Sequence, residues 1–559
     1  MSSEFASILP NEKPPKTFKS SLGVALSCLG AAVGTGNIWR YPRIVANNTG
    51  ENGALAFLLI WFLFLFTWSI PLLLVEYGAG RYTKCATILT FKKMVGPKAM
   101  WCGAFIGFVN FAIASYYAVI CGWCAYYFVY FIANELPSTS KESTAIFMNF
   151  AEESAWPVLF QAIVIVFGSI CVFAGVRSIE PVMMIMVPAL LCLMFASFVY
   201  SLTLEYSSIG IKHLFNMDWE VFKNPKTWIE ALTQNAWDTG AAQGVLLVYA
   251  TYLGKEHGVV RYGTVIPTIN NFLSFLMAIT MFSTIFSVQI SMNPSITVNQ
   301  ILDSFASNAP GNTGLTFIWI PLLYSSLSIG RAVTILFFLC LFLAGFSSQI
   351  SLIEASCHQL VDLKVPRKIA VPIIGVLMFL LGLGSTLNVY FLVNQDFVWG
   401  SAIVVSGSLL LFLVYAFGVS KFRREVINGY GDGSDWTLPR LWEWIIYILI
   451  PFQIVAIFVW WVISNVMDKD HLWYEITEES LLSALVQWAV VLIILVIFCF
   501  LYIRYAEKIL PSSYVLPGLG VTLPAVSRMT QSELTAAVDL ELEHFDNPLA
   551  QDAALPGNT

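Results

Sequence analysis

The 559-residue chain is 57% hydrophobic and only 11% charged, with a formal net charge of −6. Soluble chains carry about 25% charged residues, so composition excludes a soluble enzyme, gives no sign of a nucleic-acid partner and points to a polytopic protein of a lipid bilayer. Ten cysteines are scattered, mostly through apolar segments. The one CxxC, Cys121 with Cys124, has no histidine nearby, so the cysteines read as packing residues.

In chain order, residues 1–20 hold Lys13, Lys16 and Lys19 around Pro14 and Pro15, a basic cytoplasmic tail rather than a signal peptide. Twelve apolar runs then have the length of membrane helices, at roughly 22–46, 53–80, 101–133, 157–176, 179–203, 234–252, 263–291, 331–361, 369–387, 398–419, 441–466 and 482–504. With the N-terminus inside, the inner loops carry fifteen Lys and Arg between Arg81 and Arg440. The outer loops carry Lys141, Lys212, Lys223, Lys226 and Lys469, with Arg331 at a span edge. This asymmetry predicts a multi-pass protein of the cell membrane with both termini cytoplasmic. Residues 507–559 form a polar, acidic cytoplasmic tail expected to be partly disordered.

Two spans break the rules for membrane helices. The first contains "GAAVGTGNIWRYP", residues 30–42, with three glycines, an asparagine and an arginine; the sixth contains "NAWDTGAAQG", residues 235–244, with Asp238 between apolar neighbours. Unwinding a helix frees N–H groups on one side of the break and carbonyls on the other. Carbonyls bind cations such as sodium, and N–H groups bind a carboxylate. Close helix packing alone would explain the glycines but not Asn37 and Asp238 at matched positions. First and sixth are equivalent places if residues 21–203 (spans one to five) and 204–420 (six to ten) are inverted repeats, with 421–506 adding spans eleven and twelve.

The first-span motif, followed by "NGALAF" and "PLLLVEYGAGRYT", resembles the neurotransmitter:sodium symporter family, amino acid transporter branch. The likeness covers most of residues 20–420. It implies an all-α, LeuT-type fold of twelve helices in a 5+5 inverted repeat, and a sodium-coupled symporter rather than an enzyme. Two co-transported sodium ions are implied. The first would be held by the carbonyl of Ala32, the side chains of Asn37 and Asn270, and Asp238. The second would be held by carbonyls of Gly30, Val33 and Ala344 and hydroxyls of Ser347 and Ser348 in "FLAGFSSQIS".

Gly34 stands where the family's monoamine carriers have an aspartate, so the resemblance implies a substrate that brings its own carboxylate, a neutral amino acid. The N–H groups of Thr35 and Gly36 and the hydroxyl of Tyr117 would meet that carboxylate, with the neighbouring Tyr116 an alternative. Carbonyls near Ala32, Trp237 and Asp238 would meet the amine. Ile113, Gly240, Gln243, Ser348 and Leu352 complete the pocket. Arg40 and Asp396 would pair as an outer gate over a lid of Tyr117 and Trp237, with Asp396 starting the tenth span. Tyr252 and Asp362 match inner-gate positions. The usual N-terminal Arg–Trp partner is missing; Lys16 is assigned opposite Asp362, and Phe18 as a plug. Of the family's chloride set, Gln234, Asn270 and Ser274 are kept, while Trp61 replaces the tyrosine and Asp238 a serine. A fixed carboxylate supplies the charge chloride supplies elsewhere, so chloride is not expected to be required. Alternatives are proton coupling through Asp238 or a sensor of the same fold. Glu76 is read as structural, Glu354 and His358 are further polar residues on spans, and a monomer or weak homo-oligomer is expected.

Overall fold

A computed structural model describes residues 17–50, 52–306, 315–468, 472–506, 514–515 and 522–523. Lys16 and most of the C-terminal tail lie outside the described residues. The chain falls into two compact units, Met1–Leu495 and Val496–Thr559. The second holds the end of the last helix and, among its described residues, an antiparallel pairing of Tyr514–Val515 with Thr522–Leu523.

Twelve helices stand where the twelve apolar runs were expected. They are α1 (Ser21–Ala32, then Gly36–Asn47), α2 (Leu55–Thr83), α3 (Pro97–Ala133), α4 (Trp156–Val172), α5 (Val176–Leu202), α6 (Pro225–Thr239, then Val245–Ala250), α7 (Val259–Met292), α8 (Gly330–Asp362), α9 (Arg367–Leu387), α10 (Val389–Phe417), α11 (Leu441–Met467) and α12 (Leu481–Tyr505). Among the described residues, nine are unbroken and long and apolar enough to cross a membrane by themselves. The halves of α1 join at a 56° bend, and α4 follows a surface helix at 70°. Neither half of α6 is long enough alone.

Local chemistry sets the boundaries. Ser20 caps α1 by accepting from the Gly23 N–H. Glu180 on α5 accepts from the N–H groups of Lys19 and Ser20 and from the Ser20 hydroxyl, tying the start of α1 to α5. The tenth helix begins nine residues earlier than the apolar run predicted, because the Asn388 side chain accepts from the Phe391 N–H as an N-cap. Asp396 therefore lies two turns inside α10 rather than at its start. The bundle centre is built from α3 running along α8, α1 packed on α5, α7 and α8, and both halves of α6 against α2. α1, α3 and α8 are apolar over most of their surface, which is why the break in α1 stands out.

Candidate functional site

In α1 the backbone leaves the helix at Val33, which is extended (φ −74°, ψ 110°). The Gly34 N–H, which an unbroken helix would give to the Gly30 carbonyl, goes to Asn37 Oδ1 at 2.7 Å. The Asn37 N–H goes to the Gly34 carbonyl instead of Val33. Gly30 and Val33 carbonyls are thereby released toward α8. Ser348 Oγ lies 3.1 Å from the Val33 carbonyl, 3.3 Å from that of Ala344 and 3.5 Å from that of Gly30, and Ser347 Oγ lies 3.0 Å from the Ala344 carbonyl. All five residues expected around the second sodium thus converge, offering neutral oxygens suited to a hard monovalent cation.

The released donor is on the other side of the break. The Thr35 N–H, freed from its helical acceptor, donates to the Tyr117 hydroxyl at 3.1 Å, and the Thr35 hydroxyl is 3.1 Å from the same oxygen. A β-carbon at position 34 would sit 3.0 Å from Tyr117 Oη and 3.2 Å from Ser348 Oγ, so glycine is what lets these groups close in. Tyr116 makes a different contact, donating to Asp396 Oδ1 at 3.0 Å.

The break in α6 turns through left-handed residues: Gly240 (φ +68°), Ala242 (φ +71°) and Gly244 (φ +76°). Glu76 on α2 accepts from the N–H groups of Ala242 at 2.7 Å and Leu247 at 3.2 Å. It answers donors that the unwound turn would otherwise leave buried and unpaired, which fits its structural reading. Below it, Asp238 Oδ2 accepts from the Ser274 hydroxyl at 2.6 Å, and the Asp238 carbonyl accepts from Asn270 Nδ2 at 2.8 Å. Asn37 Nδ2 donates to Asn270 Oδ1 at 3.0 Å and Ser274 Oγ at 2.8 Å. The three side chains expected at the first sodium therefore form one cluster. Beside it, Asp238 Oδ1, both amide atoms of Gln234 and Trp61 Nε1 are buried without hydrogen-bond partners.

One cavity of about 430 Å³ is lined by all the residues expected to meet substrate: Ala32, Thr35, Gly36, Ile113, Tyr117, Trp237, Asp238, Gly240, Gln243, Ser348 and Leu352. It runs past Arg40 and Asp396 to Glu230, Trp461 and Glu479 at one face. The expected Arg40–Asp396 pair is not made. Arg40 lies 4.8 Å over the Trp237 ring as a cation–π contact, and Asp396 takes the Tyr116 hydroxyl.

The opposite face, from which the N-terminal segment enters, is sealed. Phe18 is buried, its ring 6.3 Å from that of Tyr249 and 6.2 Å from that of Tyr252, and its N–H donates to the Tyr252 carbonyl. The Tyr252 hydroxyl donates to Glu354, which is ion-paired with Arg367 at the start of α9. Asp362 accepts from the Ala86 N–H at 2.6 Å. The sequence reading missed the Glu354–Arg367 pair; an intramembrane glutamate about two turns before the end of α8, followed by an arginine at the next helix start, was the available signal.

Comparisons with known proteins agree with this geometry. The profile of the Sodium:neurotransmitter symporter family matches residues 15–155 and 147–507. An uncharacterized sodium-dependent transporter of Methanocaldococcus jannaschii is 28% identical over 480 residues, covering 83% of this chain and 93% of its own. The sodium-dependent serotonin transporter of Drosophila melanogaster is 26% identical over 503 residues, covering 80% and 76%. The crystal structure of MhsT in complex with L-phenylalanine superposes with a TM-score of 0.67 at 26% identity, covering 79% of this chain and 99% of that one. The chain belongs to the sodium:neurotransmitter symporter family: it is a multi-pass, LeuT-fold membrane transporter, a sodium-dependent symporter of a small molecule and not an enzyme.

Proposed function

We propose that this symporter imports a neutral amino acid together with two sodium ions, without needing chloride, across the cell membrane in which both its termini are cytoplasmic. The observation that carries the substrate class is position 34: glycine, with the freed Thr35 N–H aimed at the Tyr117 hydroxyl beside it. No side-chain acid stands at position 34 itself for a lone amine, and a substrate carboxylate would take the Thr35 and Gly36 N–H groups and the Tyr117 hydroxyl. The solved relative holding L-phenylalanine supports an amino acid with a large side chain. Gly240 leaves open space, and Gln243 adds one polar group to the pocket wall.

Substrate, both sodium ions and the gates work together. Sodium at Gly30, Val33, Ala344, Ser347 and Ser348 would bridge α1 to α8. Sodium at Ala32, Asn37, Asn270 and Asp238 would bridge α1 to α6 and α7, with the Asp238 carboxylate balancing its charge. The cavity open past Arg40 and the seal at Tyr252 and Asp362 support an outward-facing conformation. Swinging Arg40 from Trp237 to Asp396 would close it, and alternating access would follow by rocking the bundle that carries α1 and α6.

The test is uptake into proteoliposomes of a panel of neutral amino acids under a sodium gradient, with chloride or gluconate as the anion. Accumulation that collapses with the sodium gradient and is equal in both anions is the expected result. Uptake confined to monoamines, or strongly stimulated by chloride, would overturn the proposal.

A further inference from the structure

The mechanism above leaves His358 unused, yet it is almost fully buried on the sealed face. It stands one turn after Glu354 and one turn before Asp362, so the three share one stripe of α8. Its Nδ1 lies 3.1 Å from the Tyr252 hydroxyl and 3.5 Å from Glu354 Oε1, and its Nε2 lies 3.6 Å from Asp362 Oδ1. The Tyr252 hydroxyl gives its one hydrogen to Glu354, so toward the histidine it presents only lone pairs. Both ring nitrogens therefore face acceptors. A neutral imidazole has one N–H and must turn a lone pair on one of them, whereas an imidazolium donates to both.

The charges lead to the same end. Glu354 is balanced by Arg367, leaving Asp362 as the carboxylate for an imidazolium to face. Lys93 and Lys364 add their charge near Asp362 from the solvent side, and the remaining ionisable neighbours, Cys357 on α8 and Cys85 beside Asp362, are buried thiols. The groups around the ring come from different elements: Tyr252 follows α6 and holds Phe18, Ala86 begins the helix after α2 and holds Asp362, and Arg367 begins α9. Opening this face would take the Tyr252 hydroxyl away from Nδ1 and admit water between the ring and the two carboxylates that share α8 with it, weakening their attraction for an imidazolium.

We propose that His358 is a proton-binding site of the inner gate: a proton taken from the solution on that side locks the gate shut, and its loss favours opening. By linkage, whatever favours the closed gate raises the affinity for the proton, and the converse. The proposal rests on reading Tyr252 and Asp362 as a gate.

The test uses the full chain in nanodiscs of phosphatidylethanolamine and phosphatidylglycerol, followed by hydrogen–deuterium exchange of peptides spanning residues 17–32, corrected for intrinsic rates. In potassium buffer, where no sodium holds α1 to α8, exchange should rise roughly ten-fold between pH 6 and pH 8.5 as the site empties. His358→Gln should abolish that dependence while keeping a sodium-induced thermal shift that shows it is folded. Asp362→Asn, which removes the negative charge facing Nε2 but keeps an amide oxygen there, should move the midpoint to lower pH. A flat profile in the unmodified protein, an unchanged midpoint in Asp362→Asn, or the same pH dependence in His358→Gln would overturn the proton site. If sodium and potassium give equal exchange at fixed pH, the gate reading itself fails; a sodium effect with no pH effect sinks only the proton site.

Discussion

Replacing Asp238 with serine tests the charge arrangement at the first sodium. Two hydrogen bonds in series, 2.6 Å from Ser274 to the carboxylate and 2.8 Å from Asn37 to Ser274, keep a sodium held between Asn37 and Asp238 within roughly 6 Å of the negative charge. At an effective dielectric constant of about 20, that pair attracts by about 3 kcal/mol, or roughly 100-fold in sodium affinity. The loss would be smaller wherever water enters the cluster. The substitution also restores the serine of the family's chloride-dependent pattern, beside the Gln234 amide and the Trp61 N–H that have no partner now. A sodium titration followed by thermal unfolding needs no known substrate. In gluconate, Asp238→Ser should bind sodium about 100-fold more weakly than the unmodified protein. Added chloride should recover part of that loss and should leave the unmodified protein unaffected. A sodium midpoint unchanged by the substitution in gluconate would refute the argument, as would strong chloride stimulation of the unmodified protein.

Tyr117→Phe removes the hydroxyl that meets the Thr35 N–H and Oγ1. It should weaken amino acid binding by roughly 10-fold or more while changing stability by only about 1 kcal/mol, read by competition binding beside thermal unfolding. Glu76→Ala strands the Ala242 and Leu247 N–H groups, at about 1–3 kcal/mol each, and should lower the unfolding temperature in sodium and potassium alike. Outside the membrane segments, the N–H groups of Asn52 and Glu220 hold the Asp218 carboxyl below its ordinary value. A depressed folded value stabilises above the unfolded value of about 3.9 and stops doing so as pH falls through the folded one. The gap in unfolding temperature between the unmodified protein and Asp218→Asn should therefore be full at pH 6 and narrow below pH ~4.

What was legible in the sequence was what membrane physics punishes. A glycine cluster beside Asn37, or an aspartate at 238, violates the demand for satisfied backbone and absent charge, so it must be compensated by function, and the cavity forms where both violations meet. Less legible were groups whose purpose depends on a partner far along the chain. Glu76 serves a turn 166 residues away, and Glu180 caps a helix start 160 residues before it. No local pattern announces either pairing, only the expense of burying a carboxylate. The gates divide the same way. Arg40 and Asp396 were readable as residues but not as a contact: Arg40 goes to the Trp237 ring and Asp396 to the Tyr116 hydroxyl. Tyr116 and Tyr117 were interchangeable by composition, and the helical turn separates them: one residue of rotation carries one hydroxyl to Thr35 and the other to Asp396. On the proposed reading of the site, the two tyrosines tie the substrate seat and the gate carboxylate to one rigid helix, α3. A substrate that draws Tyr117 onto its carboxylate acts on the same element that holds Asp396. Binding can thereby bias closure without any contact between substrate and gate, provided the two faces differ in how tightly they hold the substrate.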